Sequence, residues 1–203
     1  MPSYTPWIAF FGAVIGSLGG VLLASLLTRG RDKAAQAEQD RRDSAHLVGL
    51  VVPMLERFCQ GCDAVAHDEG EYEGPPGEQT ELAPQATTPD FVIDALKVEW
   101  KALPADLMFD VLALPGRVDQ ANRIIAGAAH HDDGPDYSDF FNQRRYQYAV
   151  LGIDAAHLAA RLRSHAGIAS AEANLDWDAP KEMEAVKRLI EKRWATPARF
   201  PDF

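Results

Sequence analysis

The sequence predicts an all-α protein in which one transmembrane helix is followed by a cytoplasmic bundle of about four or five helices. Three features of the sequence lead to this prediction. Residues 7–28 form an apolar run without a charge. In later segments, apolar residues recur every three or four positions, which is the spacing of one helix face. The alternation of apolar and polar residues that is typical of strands is nearly absent.

Residues 1–28 are expected to form the membrane anchor. At 1.5 Å per residue, a helix over the uncharged run covers about 33 Å, which matches the hydrocarbon core of a bilayer. A cleaved secretory signal is the alternative, but such a signal has a basic start and a shorter apolar stretch. Arg29, Arg31 and Lys33 follow the run directly. By the positive-inside rule, they place the N-terminus outside and the C-terminal domain in the cytoplasm.

The amino-acid composition and net charge indicate where the protein is located and which classes of partner are excluded. Many alanines, and more arginines than lysines, are typical of GC-rich bacterial genomes, so the expected location is a bacterial inner membrane that the chain crosses once. The net charge of −10 argues against a nucleic-acid partner, because a polyanion binds a clustered basic face. With only Cys59 and Cys62, the chain is not a disulfide-stapled secreted scaffold.

A row of small residues lies within the apolar run. Gly12, Gly16, Gly20 and Ala24 are spaced four apart, so they share one face of a helix. Glycine is common in transmembrane helices, which is the simplest interpretation of the row. In lipid, however, small residues at this spacing let two helices approach closely and associate. The sequence therefore predicts that the anchor associates with a second copy through these four positions.

The segment after the anchor is predicted to stay helical. Residues 29–46 are polar, rich in helix formers and of both charge signs, as expected for a solvated stalk. Residues 47–194 are predicted to form the bundle. The apolar stripe of its first helix comprises Leu47, Leu50, Val51, Met54, Leu55, Phe58, Cys62 and Val65. Pro53 is expected to kink this helix, and Gly70 is expected to end it.

Residues 69–89 are interpreted as a mobile acidic loop. Between Arg57 and Lys97 the sequence has acidic residues and no basic one, together with several prolines and glycines. Such a stretch buries too little apolar surface to offset the entropy lost on ordering. A solvated insertion is the favoured interpretation, and a docking strip for a basic partner is the alternative.

Two prolines divide the next segment in the prediction. Pro104 and Pro115 fit the first turns of two separate short helices. Residues 91–100 before them are assigned to helix, although they could pass for a strand. The two short helices are expected to bury Leu107, Met108, Val111, Leu112, Val118, Ala121, Ile125 and Ala128.

The last part of the bundle is predicted as two further helices. The longer one covers about residues 138–164, and its apolar stripe comprises Phe141, Tyr148, Leu151, Ala155, Leu158 and Leu162. Asp178 is predicted to cap the final helix. That helix is expected to turn Met183, Val186, Ile190 and Trp194 inward. Residues 195–203 are assigned to a tail.

The sharpest chemical cluster is His130, His131 and Asp133, because imidazole and carboxylate are ligands for zinc, manganese or iron. Adjacent histidines on a helix point about 100° apart, so a role at a helix end is favoured over a metal site. Cys59 and Cys62 lie mid-helix, where no helix N-terminus lowers a thiol pKa. Packing is therefore favoured over zinc binding or redox chemistry, and the sequence predicts no cofactor.

Charged side chains on the later helices are expected to form ion pairs at the surface, with a pocket for an anion as the alternative. The arginines concerned are Arg144, Arg145, Arg161 and Arg163. Asp94, Glu99 and Asp106 could supply a pair of catalytic carboxylates, but nothing in their spacing predicts that one is desolvated. The sequence contains no phosphate-binding loop, nucleophile elbow or HExxH zinc motif, so an enzyme is not favoured.

These features together predict a membrane-tethered interaction or scaffold module. Its expected partners are the lipid bilayer, a second copy bound through the anchor, and a cytoplasmic protein. A membrane-perturbing effector or stress-response component is one alternative. The other is a membrane-tethered, metal-dependent enzyme that uses His130, His131 and Asp133.

Overall fold

The computed structural model describes residues 5–73, 81–132, 138–168 and 178–196, with side chains described from residue 31 onward except for Glu81. Within these residues there are four α-helices and one short hairpin. The helices are α1 (Thr5–His67), α2 (Ala105–His131), α3 (Ser138–Ala166) and α4 (Ala179–Ala195). The strands are β1 (Glu71–Glu73) and β2 (Glu81–Ala83), and a 3₁₀ turn covers Trp100–Ala102. The predicted all-α bundle is confirmed.

The chain divides into two compact units, Met1–Asp43 and Ser44–Phe203. In the first unit the backbone is helical from Thr5, and the side chains of residues 31–43 are almost all exposed. They pair one turn apart, as Glu38 does with Arg41 and Arg42. Such pairs stabilise a solvated helix. Residues 29–46 are helical, as predicted, while their role as a stalk next to a membrane stays a prediction.

No helix in the described part of the chain is both long and apolar enough to cross a bilayer. This finding does not support the predicted anchor, which stays a prediction from the sequence. Residues 7–28 lie within the helical backbone of α1, but their side chains are outside the described residues. The same holds for the predicted interface of Gly12, Gly16, Gly20 and Ala24.

The second unit is built around one hydrophobic core that the four helices share. Helix α1 contributes Leu47, Val51, Leu55, Phe58, Cys62 and Val65, all buried as the helical spacing predicts. Leu50 of the predicted stripe is exposed instead. Gly152 of α3 packs tightly against two other helices, because a Cβ there would lie 2.5 Å from Met183 Sδ and 2.8 Å from Cys62 Cβ.

The prediction of two short helices divided at Pro115 was wrong, because α2 is one continuous helix. The helix begins after Pro104 and continues through Pro115 without a break. A proline inside a helix removes one backbone hydrogen bond. The turns on both sides of it bury apolar residues, among them Val111 and Val118, in the same core, and this packing offsets the lost bond.

The helical assignment of residues 91–100 was wrong. This segment is irregular until the 3₁₀ turn at Trp100–Ala102. Phe91 and Ile93 are buried, and the ring of Phe91 packs edge-on against Phe58 with centroids 5.5 Å apart. Burial of these two side chains in the core thus outweighs the local preference for helix.

Part of the acidic segment, which was interpreted as a mobile loop, forms a short hairpin in the described residues. Strands β1 and β2 pair antiparallel, with Tyr72 opposite Leu82. Helix α1 ends at His67 and Gly70 follows with φ of 77°, in agreement with the predicted stop. Residues 74–80 lie outside the described residues, so the prediction stays untested there.

The last two helices agree with the sequence in most respects. Helix α3 begins at Ser138, and its whole predicted stripe is buried. Asp178 caps α4 by accepting a hydrogen bond from the backbone N–H of Lys181. Trp194 is not inward as expected, because 42 % of its surface is exposed beside the ring of Tyr146. Most of the predicted tail, from residue 197, lies outside the described residues.

Candidate functional site

Helix α2 has a second uncharged face besides the one it buries. The buried face includes Leu107, Val111 and Leu114. At 100° per residue, six other positions point together in a different direction, and all six are exposed. We call them the α2 outer face: Ala105, Phe109, Leu112, Ala113, Gly116 and Gln120. This face itself carries no charge over four turns, and the exposed charged residues Asp106, Asp110, Arg117 and Asp119 border it.

The apolar character of the α2 outer face is concentrated at two side chains. Phe109 is 72 % exposed and Leu112 is 42 % exposed, and they lie one turn apart. Single exposed apolar residues are ordinary, whereas adjoining ones mark interaction surfaces. A Cβ added at Gly116 would have no heavy atom within 4 Å, so the surface is open beside these two residues.

Ion pairs with α3 lie along one flank of the α2 outer face. Asp106 and Asp110 both bind Arg161, with Arg161 Nη2 at 2.9 Å from Asp106 Oδ2. Arg117 binds Asp154. These side chains are between 36 % and 68 % exposed. The predicted surface ion pairing is confirmed for Arg161, and the flank carries both charge signs.

The second unusual cluster lies where the hairpin leaves the bundle. We call it the hairpin base: Asp68, Gly70, Gln85, Ala86, Arg144 and Arg145. Asp68 accepts hydrogen bonds from the backbone N–H groups of Gly70, Gln85 and Ala86 at 2.8–2.9 Å. Arg144 Nη1 donates to Asp68 Oδ2 at 2.7 Å, and Arg144 also donates to the Ala86 carbonyl. Asp68 and Arg144 therefore tie both ends of the hairpin to α3.

The partners of Asp68 determine its protonation. Burial by itself would raise the pKa of this carboxyl group, whose side chain is 4 % exposed. The hydrogen bonds from the amides of Ala86 and Gly70 and from Arg144 outweigh burial and hold the pKa of Asp68 below its usual value. Asp68 is therefore a fully paired structural carboxylate.

Arg145 performs a similar structural task next to Arg144. Its Nε donates to the carbonyl of Ala66 at 2.9 Å, in the last turn of α1, and its Nη1 pairs with Glu69 at 2.9 Å. Carbonyls in the last helical turn lack partners within the helix, so this bond stabilises the helix end. The expectation of surface pairs was thus wrong for Arg144 and Arg145, which are buried.

A sequence signal for these two arginines exists and was missed. Arg144 and Arg145 occupy the third and fourth positions after Phe141 in the regular stripe of α3, where the pattern calls for a buried residue. A charged residue at such a position is rarely buried without a partner. Arg163, in contrast, follows the prediction of a surface pair and binds Glu56.

The predicted chemical clusters lie only partly within the described residues. Within them, no group of three or more His, Cys, Asp or Glu side chains is placed to hold a metal ion. His131 Nδ1 lies 2.8 Å from the carbonyl oxygen of Gly127 in the same helix. The ring of His130 packs edge-on against the ring of His131. Asp133 lies outside the described residues. Glu99 pairs with Lys101 and Asp106 with Arg161, so these two carboxylates have separate partners.

The two cysteines are packed in the core, as predicted for Cys62. Both are free and buried. Burial raises the pKa of Cys59 to about 11, and the nearby carboxylates of Asp63 and Glu56 contribute to the shift. Burial also raises the pKa of Cys62. Since a thiolate is the reactive form, neither thiol is activated at neutral pH.

Comparisons of the chain with protein-family models, curated proteins and solved structures find no match. The hairpin base and the α2 outer face are the two candidates for a functional site among the described residues. In the hairpin base, each charged side chain has a partner of opposite charge. The α2 outer face instead leaves a large aromatic side chain in water, so it is the candidate functional site.

Proposed function

We propose that the protein is a membrane-tethered interaction module. In this proposal, residues 7–28 hold the chain at a membrane and the helical unit presents the α2 outer face to a protein partner. The observation that carries the proposal is the exposure of Phe109 and Leu112 on an uncharged helix face. Burying an exposed aromatic side chain in an interface is strongly favourable, and aromatic residues dominate binding energies in many interfaces.

The membrane part of the proposal is supported by the sequence. Residues 7–28 contain no charged residue, and Arg29, Arg31 and Lys33 follow them at once. This order is typical of a single span whose following domain lies in the cytoplasm of a bacterial cell. Sodium carbonate extraction of the full chain from membranes tests it, because a spanning protein stays in the pellet and a peripheral one is released.

The row of Gly12, Gly16, Gly20 and Ala24 supports self-association of the anchor. Energy transfer between fluorescently labelled copies in membranes measures it. The Gly16→Ile variant should lose the transfer, because a branched side chain separates the two helices. Equal transfer for the variant and the wild type would contradict this part of the proposal.

The interaction surface is tested with a photo-cross-linking residue in the full chain. It replaces Leu112 on the α2 outer face in one variant and Leu189 on α4 in the control, because these leucines are 42 % and 44 % exposed. Irradiation of membranes should give an adduct from position 112 and little or none from position 189. No adduct at 112, or equal yields at both positions, would overturn the proposed interaction surface.

A further inference from the structure

We infer that the partner of the α2 outer face is a second copy of this chain, whose α2 packs antiparallel and crosses the first near Ala113. The inference rests on the proposed function, because it requires that this face is an interaction surface. It names the partner and the geometry, which the proposed function leaves open. Two properties of the face lead to it: its shape is self-complementary in the antiparallel direction, and so are the charges on its flank.

Phe109 and Gly116 lie on opposite sides of Ala113 along the α2 outer face. In an antiparallel pair that crosses at Ala113, Phe109 of one copy lies level with Gly116 and Arg117 of the other. A large ring then faces a position without a side chain, where the surface is open. A parallel pair would place Phe109 against Phe109 and Gly116 against Gly116, which leaves a gap at the glycines. Only the antiparallel pair fills the surface evenly.

Asp110 and Arg117 carry opposite charges and lie on the same flank of the α2 outer face. A two-fold axis perpendicular to two antiparallel helices brings the same flank of each helix together. Asp110 lies three residues before Ala113 and Arg117 four residues after it. Asp110 of one copy is therefore level with Arg117 of the other, and the symmetry generates this attraction twice. Their present partners Arg161 and Asp154 lie on the same flank, so the pairs can extend into a network.

The same charges argue against a strongly charged partner. The six positions of the α2 outer face carry no charge, Asp106, Asp110 and Arg117 lie along one flank, and the exposed Asp119 borders the other side. An acidic surface would meet three carboxylates, and a basic surface would meet Arg117. A second copy in the antiparallel direction meets opposite signs at each end, because interfaces select partners whose charges are complementary.

Cysteine cross-linking in the full chain tests the geometry. Two tagged copies are co-expressed, one with Phe109→Cys and the other with Gly116→Cys, and oxidised in membranes. The native Cys59 and Cys62 are buried, so they do not compete. We expect the mixed pair to form a disulfide efficiently and each variant alone to form little. Efficient cross-linking of each variant with itself would indicate a parallel pair and overturn the inference.

Substitutions test the two arguments separately. Gly116→Leu fills the open position and should reduce adduct formation at position 112 strongly. The matched control Gly127→Leu, at another exposed α2 glycine with open space around it, should leave adduct formation unchanged. Asp110→Asn should reduce it by about threefold, as expected for two exposed ion pairs. Equal effects of the two leucine substitutions, or an unchanged adduct yield for Asp110→Asn, would contradict the inference.

The mass of the photo-adduct separates this inference from the proposed function. An adduct of twice the chain mass supports the second copy. An adduct of another mass overturns the second copy and leaves the proposed interaction surface intact. The absence of an adduct from position 112 overturns both.

Discussion

Two buried aspartates at the end of α1 differ in what surrounds them. Asp68 in the hairpin base accepts three backbone hydrogen bonds and one from Arg144, and its pKa is lowered. Asp63, five residues earlier, is also buried, but its Oδ1 has no hydrogen-bond partner among the described residues. Burial raises the pKa of Asp63, His67 partly offsets this, and the negative charge of Glu182 on α4 adds to it.

The comparison shows that burial alone does not determine what a carboxylate does in this fold. Desolvation raises the pKa of both groups, and hydrogen-bond donors decide the final direction. A paired carboxylate such as Asp68 stabilises the fold when it is ionised. Among the described residues, Asp63 has only the ring of His67 near its Oδ1, at 3.4 Å, so its ionised form is incompletely stabilised and weakens the fold. Substitutions that remove hydrogen-bond or ion-pair partners, or that remove the charge itself, should therefore change the free energy of unfolding differently at Asp68 and at Asp63.

The largest effect is expected when Asp68 loses its cation. Arg144→Ala should lower the free energy of unfolding by about 3–5 kcal/mol, because breaking a buried ion pair leaves an uncompensated charge. Urea unfolding followed by circular dichroism measures it. Arg161→Ala is the control, since Arg161 forms exposed pairs, and its effect should be far smaller. Similar losses in the two variants would contradict a structural role for the hairpin base.

A loss of about 1.5–3 kcal/mol at pH 7 is expected for Asp68→Asn, because bonds to a charged acceptor are replaced by weaker ones. The pKa of Asp68 is lower in the folded chain than in the unfolded chain. Its stabilisation is therefore present above the unfolded pKa of about 4 and is lost as pH falls through the folded pKa. Urea unfolding at a series of pH values should show the wild type and the variant converging in acid. A constant gap would exclude the ionisation of Asp68 as the cause.

Gly70→Ala tests the backbone of the hairpin base. A Cβ at Gly70 would lie 2.5 Å from Phe141 Cζ, and the residue has φ of 77°. Overpacking of this kind costs about 1–3 kcal/mol, to which the unfavourable φ adds. Gly167→Ala is the matched control, because Gly167 has φ of 66° with no atom near its Cβ position. Thermal unfolding should show the greater loss for Gly70→Ala, and equal losses would mean that the backbone conformation alone matters.

The smallest effect is expected at Asp63. Asp63→Asn removes a buried charge that Glu182 repels and His67 only partly offsets, and it should stabilise the fold at pH 7 by about 1 kcal/mol or less. Because the pKa of Asp63 is raised in the folded chain, the advantage should shrink as pH falls through that value. A loss of stability at pH 7 would show that the attraction between Asp63 and His67 outweighs the other two effects.

The sequence predicted much of the bundle, because its helices follow from local patterns. The stripe of α3 repeats every three or four residues, and the cap at Asp178 depends on a residue only three positions away. Such features are determined by neighbours in the chain, so they can be recognised without a structure. Of the two exposed apolar residues in the candidate site, only Leu112 was predicted from the apolar pattern, and it was expected to be buried, while Phe109 was not recognised.

The incorrect predictions share one cause, which is contact with residues far away in the chain. Pro115 stays inside α2 because the turns on both sides pack into the common core. Phe91 leaves the helical conformation to pack on Phe58. Arg144 meets Asp68 across 76 positions of sequence. No local pattern contains these partners. The positions of Arg144 and Arg145 in the α3 stripe do, however, indicate that both side chains are buried.

From its sequence alone, the protein was recognisable as helical, acidic and equipped with an uncharged N-terminal run, since composition and short-range spacing determine these properties. The tertiary structure decided which charges are buried and paired, how the acidic segment is tied down, and which face of α2 stays in water. These depend on which elements meet in space. The free energy of burying a charge or a phenyl ring depends on the groups that surround it in the folded chain and not on the residue type alone.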